Sequence, residues 1–262
     1  MSKLDELIAE LCPDGVEFVT VEEICDITRG RVMSKNYLRE NTGVYPVYSS
    51  QTANNGVFGY INTFDYDCES VTWTTDGANA GSVFYHINEK FSITNVCGLL
   101  RVKNNELVST KFLFYVLQVY AKKYVNDGMG NPKLMSNVMA RISVPLPPLA
   151  VQQEIVRILD NFTELTAELT AELTARRKQY EYYRDLLLTF GNNPDIKWMT
   201  LGEIGPVCMC KRIMKAETSP VGDVPFFKIG TFGKEPDAFI SQEKYDEYRK
   251  AFSSPKKGDI LI

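Results

Sequence analysis

The single histidine, His86, makes histidine-based metal sites and Ser-His-Asp triads poor candidates in this 262-residue chain. On an alternating stretch it reads as a structural residue. An amino-methyltransferase would need an Asn/Asp-Pro-Pro-aromatic loop. The two Asn-Pro steps continue instead as Asn131-Pro132-Lys133 and Asn193-Pro194-Asp195. A phosphate-cradling Walker loop fails at Gly230-Thr231-Phe232-Gly233-Lys234-Glu235, where Lys228 stands in place of the first Gly and Glu235 in place of Ser or Thr. A metal nuclease would place Glu-x-Lys after Pro-Asp, whereas Pro236-Asp237 is followed by adjacent Glu243-Lys244. No catalytic residue, metal ligand or cofactor is expected, and the chain reads as non-enzymatic.

The chemistry present is that of hydrogen-bond readout. Hydroxyls and amides bond base edges and phosphates, and cations bond phosphates. Ser49, Ser50, Gln51, Thr52, Asn54 and Asn55 fall in one loop, and Thr75, Asp76, Ala78 and Asn79 in a second. Asn131 and Lys133 fall in a third, with Met129 and Gly130. Arg29, Arg31 and Lys35 cluster ahead of the first loop. These form the candidate DNA-binding set. Lys122 and Lys123 close a helix and are equally consistent with a phosphate contact and with a solvated helix end. Each loop also has the composition of an ordinary polar turn. Gly77 and Gly81 are expected to serve backbone geometry.

The net charge of −4 conceals an asymmetry. Residues 1–26 carry one lysine against eight carboxylates, while residues 27–148 carry twelve basic residues against eight acids. The basic excess lies in the same part of the chain as the readout loops, which permits DNA binding without requiring it.

Those loops need a scaffold. Short apolar or alternating runs at 44–48, 57–61, 70–74, 82–86 and 97–102, separated by Asn- and Gly-rich turns, predict strands. Residues 110–124 predict a helix with Thr110 as its N-cap, and residues 141–145 a strand. Residues 5–11 predict a short helix. The expected class is α+β, mixed and β-dominated, over residues 1–148.

From Leu149 to Phe190 the chain runs about forty residues without Gly or Pro. Ile155, Ile158, Phe162, Leu165, Leu169, Leu173, Tyr180, Tyr183 and Leu187 recur at helical spacing and predict one apolar stripe. Pro145, Pro147 and Pro148 precede the run, and Gly191-Asn192-Asn193-Pro194 follows it. At its centre Thr166-Ala167-Glu168-Leu169 repeats as Thr170-Ala171-Glu172-Leu173. Each four-residue unit rises about 6 Å and rotates the helix by a net of about 40°. Added units therefore lengthen the rod while nearly keeping its face, as a spacer requires. The repeat is equally consistent with a sequence that simply favours helix.

The cadence before the first domain returns after the helix. Thr20, Glu23 and Ile24 recur as Thr200, Glu203 and Ile204, and Tyr45-Pro46-Val47-Tyr48 has a partner in Val224-Pro225-Phe226-Phe227. The expected organisation is a domain over 1–148, a spacer helix over 149–191 and the beginning of a second copy over 192–262. By the repeat, residues 258–262 correspond to the strand at 70–74.

Cys12, Cys25, Cys68, Cys97, Cys208 and Cys210 show neither disulfide nor metal spacing and are expected as reduced thiols, mostly buried. The acidic start lacks a signal sequence, and no apolar run approaches the about 20 residues of a membrane span. The expected location is cytoplasmic, with no membrane partner.

Together these features resemble the specificity (S) subunit of type I restriction–modification systems. The match is carried by Val144–Phe162 leading into the helix and by the helix end Arg176–Phe190 followed by Lys197–Ile204. The TAEL repeat, Asn54–Tyr60 and Thr75–Gly81 add to it. The resemblance implies target-recognition domains held apart by antiparallel helices, each domain reading half of a split DNA target. It implies no catalysis by this chain. The partners would be double-stranded DNA, adenine-methylating M subunits and R subunits. A full S subunit completes a second domain and adds a second helix, so a chain ending at Ile262 is expected to pair with a second copy through residues 149–190. The competing reading is an assembly protein whose helix pairs with a partner without reading bases.

Overall fold

The computed structural model describes residues 2–191 and 193–261. Asn192 of the expected helix stop, Ile262 of the last expected strand and the side chain of Met129 lie outside the described residues. The chain forms two compact units, one ending at Gln179 and one beginning at Tyr180, so the boundary falls within the long helix.

In chain order the first unit contains α1 (Lys3–Leu11), β1 (Phe18–Thr20), α2 (Val21–Ile24), β2 (Cys25–Arg29) and α3 (Lys35–Glu40). Next come β3 (Thr42–Tyr48), β4 (Val57–Ile61), β5 (Tyr66–Asp67), β6 (Ser70–Thr74), β7 (Val83–His86), β8 (Lys90–Ile93) and β9 (Cys97–Val102). Then α4 (Thr110–Tyr120), α5 (Ser136–Ala140), β10 (Ser143–Pro145) and the long helix α6 (Leu149–Leu188) complete the run of elements. One antiparallel sheet has the order β2-β9-β6-β7, and a second, with a parallel β3–β8 pair, has the order β4-β3-β8-β5. The α+β, β-dominated expectation holds.

Alternation along β9 explains the layering. Leu100 and Val102 face a core shared with Trp73, Leu113 and Leu117, so α4 packs on that side of the first sheet. Cys97 and Leu99 face the other way, into a core with Tyr48, Phe91 and Ile93 of the second sheet. Trp73 lies opposite Gly98, where a Cβ would stand 2.1 Å from the indole. A glycine is therefore required there. The indole N–H donates to the Leu134 carbonyl at 2.9 Å, which satisfies the one polar atom of a fully buried side chain.

His86 is buried between the sheets. Its Nε2 lies 2.8 Å from the Thr72 hydroxyl and its Nδ1 lies 2.6 Å from Glu89, whose carboxylate also accepts the Tyr48 hydroxyl at 2.9 Å. The His86 and Tyr48 contacts hold the Glu89 carboxyl below the usual carboxylate range. This residue packs and bonds as the expected structural histidine.

Several local expectations are corrected. The cap of α4 is Ser109, whose Oγ accepts the Phe112 N–H, because Thr110 is turned into the core. The α-helix stops at Tyr120 and continues as a 3₁₀ turn over Ala121–Tyr124. The long helix stops at Leu188 rather than Phe190. Cys12, Cys25 and Cys97 are buried, but Cys208 and Cys210 are exposed. Burial pushes the Cys25 and Cys97 thiols up to about 12, so neither is a thiolate at neutral pH.

The second unit carries α7 (Leu201–Ile204), β11 (Val224–Pro225), β12 (Phe239–Ile240) and α8 (Gln242–Ala251). Its opening repeats that of the first unit in geometry as well as sequence. Glu23 accepts the Thr20 N–H at 2.6 Å, and Glu203 accepts the Thr200 N–H at 2.6 Å, each closing a capping box before a one-turn helix. The strand expected at the end does not form among residues 258–261, where Ile260 is 88% exposed. Its counterpart β6 is held between β7 and β9, and residues 258–261 have no such neighbours to ladder with.

Candidate nucleic-acid interface

Two of the three readout loops, distant in sequence, meet at one turn, and the third joins through the second. Thr94–Val96 joins β8 to β9. The Thr94 N–H donates to the Tyr48 carbonyl at 2.9 Å and its hydroxyl donates to Ser49 Oγ at 2.8 Å, which fixes the start of the first loop. The Thr75 N–H donates to the Val96 carbonyl at 3.1 Å, which fixes the start of the second. Arg29 at the end of β2 donates through Nε (3.2 Å) and Nη2 to the Asn95 carbonyl.

The third loop joins through Asp76. Asp76 and Lys133 form an antiparallel bridge, and the Gly77 N–H donates to the Pro132 carbonyl at 3.0 Å. Lys133 also exchanges backbone hydrogen bonds with Asn126 at 2.8 and 2.9 Å. Gly81, at φ +78°, passes so close to Val125 that a Cβ would lie 2.8 Å from its methyl, bringing Lys122 and Lys123 beside the second loop. Gly77, at φ +90°, has open space and serves conformation alone.

Within the first loop Asn54 and Asn55 adopt φ of +49° and +52°, followed by Gly56 at +86°. Successive left-handed residues cost about 1–2 kcal/mol each for ordinary side chains, and asparagine tolerates the region best. The turn keeps Thr52, Asn54 and Asn55 exposed. Gln51 donates to the Val57 carbonyl and is half-buried, while Ser50 is partly exposed.

The candidate set thus divides by burial. Exposed or partly exposed at the junction are Arg29, Asp76, Ala78, Asn79, Asn131 and Lys133. Ser49 and Thr75 are buried, with the Thr75 hydroxyl donating to Asp76 at 2.6 Å, so both support the loops from beneath. Arg31, past the end of β2, donates to the Tyr37 hydroxyl at 3.1 Å and pairs with Asp65 at 3.0 Å, contacts that raise its pKa further. Lys35 is exposed at the start of α3. Asn95 and Asn126, at the centre of the junction, were not in the candidate set. The Asn between Ile93 and Cys97 was the available turn signal, but it needed β8 to be read as a strand first.

The long helix is anchored at its base. Gln152 is fully buried. Its Oε1 accepts the Ser109 N–H at 2.9 Å, and its Nε2 donates to the Leu107 and Pro147 carbonyls at 2.8 Å each. Glu154 accepts Lys3 of α1 at 3.0 Å and Arg157 at 2.6 Å, which brings its pKa down to about 2. Asp160 accepts Lys111 at 2.8 Å and Tyr115 at 2.6 Å, both from α4. Beyond Asp160 every helix residue is exposed, including Phe162, Leu165, Leu169, Leu173, Tyr180, Tyr183 and Leu187. The Thr163, Thr166, Thr170 and Thr174 hydroxyls each donate to the carbonyl four residues back, at 2.7–2.8 Å. Among the described residues no group of side chains could hold a metal ion, and no helix is long and apolar enough to cross a membrane.

The family model for the type I restriction modification DNA specificity domain matches residues 13–176, and the chain belongs to that family. A Haemophilus influenzae protein bearing the name of a type I restriction enzyme specificity subunit is 39% identical over 94% of this chain and 65% of its own length. A Mycoplasma pneumoniae protein bearing the name of a type I specificity subunit is 45% identical over 73% of this chain and 64% of its own. The crystal structure of the S subunit of a type I system from M. genitalium superposes over 87% of this chain and 63% of its own, with a TM-score of 0.56 at 16% identity, a likeness of fold. The chain spans just under two thirds of the length of each.

Proposed function

We propose that this chain is the DNA sequence-recognition subunit of a type I restriction–modification complex. It reads one half of a split target through the loops that meet at Thr94–Val96. The observation that carries the reading is this convergence: one turn holds the first two loops and Arg29, and the Asp76–Lys133 bridge adds the third. Exposed amides on a strained tip and cations beside them supply base and phosphate partners at one end of a rigid scaffold.

Residues 1–148 act as the target-recognition domain, residues 149–191 as the spacer and residues 192–262 as the start of a second such domain. The chain itself is non-catalytic. Adenine methylation and DNA cleavage belong to M and R subunits, the M subunits docking on the helix and its surroundings, and the assembly works in the cytoplasm. The stripe from Ile155 to Leu187 is the helix-pairing face, and two copies of this chain pair antiparallel along it to read an interrupted palindrome.

The test is duplex binding by the full chain across a salt series. The expected result is sequence-selective binding that weakens steeply between about 50 and 200 mM salt, with Arg29→Ala weakening all sequences about equally. Helix-mediated assembly without any duplex binding would favour the assembly-protein reading.

A further inference from the structure

Asp76 stands among the cations of the candidate interface, where a phosphate-binding surface would ordinarily exclude a carboxylate. Its Oδ2 lies 3.9 Å from Arg29 Nη2 and its Oδ1 lies 3.8 Å from Lys133 Nζ. Both separations are too long for hydrogen bonds and lie within ion-pairing reach. The carboxylate is held in place independently, by the Thr75 hydroxyl at 2.6 Å and by the backbone bridge to Lys133. Its side chain is 24% exposed, so solvent screens these attractions less than at the open surface.

We propose that Asp76 is a built-in counter-anion, occupying toward Arg29 and Lys133 the electrostatic place of a DNA phosphate. It damps binding to arbitrary DNA, so that a duplex gains the two cations only by supplying a phosphate in competition with Asp76. Because every duplex supplies phosphates, the penalty falls on target and non-target alike. Asp76 then sets the overall strength of DNA binding without touching a base. The proposal rests on the DNA-recognition reading and adds to it a ceiling on affinity for arbitrary DNA.

The test compares the native full chain with Asp76→Asn, which keeps an acceptor for Thr75 and removes the charge. Binding to a non-target duplex is measured from about 50 to 300 mM salt, together with the melting temperature of each protein. The expected result is non-target affinity raised about five- to tenfold at the low-salt end, and a salt slope steeper by roughly one. Target affinity should rise by a similar factor, leaving the ratio of the two nearly unchanged. Lys133→Gln in the native chain is the second variant. With Asp76 already balancing Lys133, it should cost less than about threefold, against roughly tenfold for an unopposed phosphate contact. Non-target affinity that is unchanged or weaker in a folded Asp76→Asn chain would overturn the proposal alone, as would a tenfold loss from Lys133→Gln. A native chain that binds no duplex would overturn the DNA reading and the proposal with it.

Discussion

The first three turns of the long helix and its remainder share one backbone and one apolar stripe, yet they live in different surroundings. From Val151 to Asp160 the side chains are buried or partly buried apart from Gln153 and Arg157, and Gln152, Glu154 and Asp160 tie the helix to residues 107–115 and to α1. From Asn161 onward the same stripe continues with Leu165 50% and Leu173 70% exposed. The base fixes the direction in which the helix leaves the sheets of the first unit. Up to Leu173 the remainder presents leucines that the rest of that unit does not cover. The helix thus combines a rigid joint with an uncovered apolar face.

The comparison breaks most visibly if the exposed half is made polar. Replacing Leu165, Leu169 and Leu173 together with Glu should weaken self-association at least about a thousandfold, since each buried leucine contributes about 1.5–3 kcal/mol. The melting temperature of the domain should hardly change. Sedimentation at micromolar concentration reads the first effect and circular dichroism the second. A native chain that stays monomeric at high micromolar concentration with its helix folded would contradict pairing.

Gln152→Ala acts on the other half. It strands the Ser109 N–H and the Leu107 and Pro147 carbonyls, and with partial rehydration the cost is about 3 kcal/mol. For a unit of this size the melting temperature should fall by about 6–12 °C. A fall of less than about 2 °C would show that the joint is held otherwise.

The smallest effect concerns pH. The Glu154 carboxyl is held down to about 2 by Arg157 and Lys3, so its folded pKa lies below its unfolded value. Its contribution is fully present above the unfolded pKa of about 4.3 and is lost as pH falls toward 2. Glu154→Gln should therefore lower stability slightly at neutral pH and flatten its decline across that window. Thermal melts of both proteins from pH 6 to pH 2.5 check this, and parallel curves would contradict it.

Much of this architecture is legible in the sequence because its signals are local. Residues 57–61, 70–74 and 97–102 show strand patterns that match β4, β6 and β9 to the residue. The uninterrupted run from Leu149 gives the helix, and the Thr-x-x-Glu spacing gives the two capping boxes. β2, β5, β8, α3 and α5 are short, and their identity depends on neighbours: Lys90–Ile93 becomes a strand because β3 and β5 flank it. The loops were readable as polar segments, but their meeting was not. Asp76 finds Lys133, and Thr75 finds Val96, through sheet register and tertiary packing that no local pattern encodes. For the same reason the burial of Ser49 and Thr75 could not be read from residue type.

The most direct measurement is selection of bound targets from a random duplex pool, using the native chain and a chain with one added Thr-Ala-Glu-Leu unit after Leu173. Two specified half-sites in opposite orientation around an unread gap are expected. The half-sites should be identical for both chains, and the gap wider by about one or two base pairs for the longer helix, from a rise of about 6 Å against 3.4 Å per base pair. Recovery of no common sequence, or of one uninterrupted motif unaffected by the insertion, would contradict this expectation.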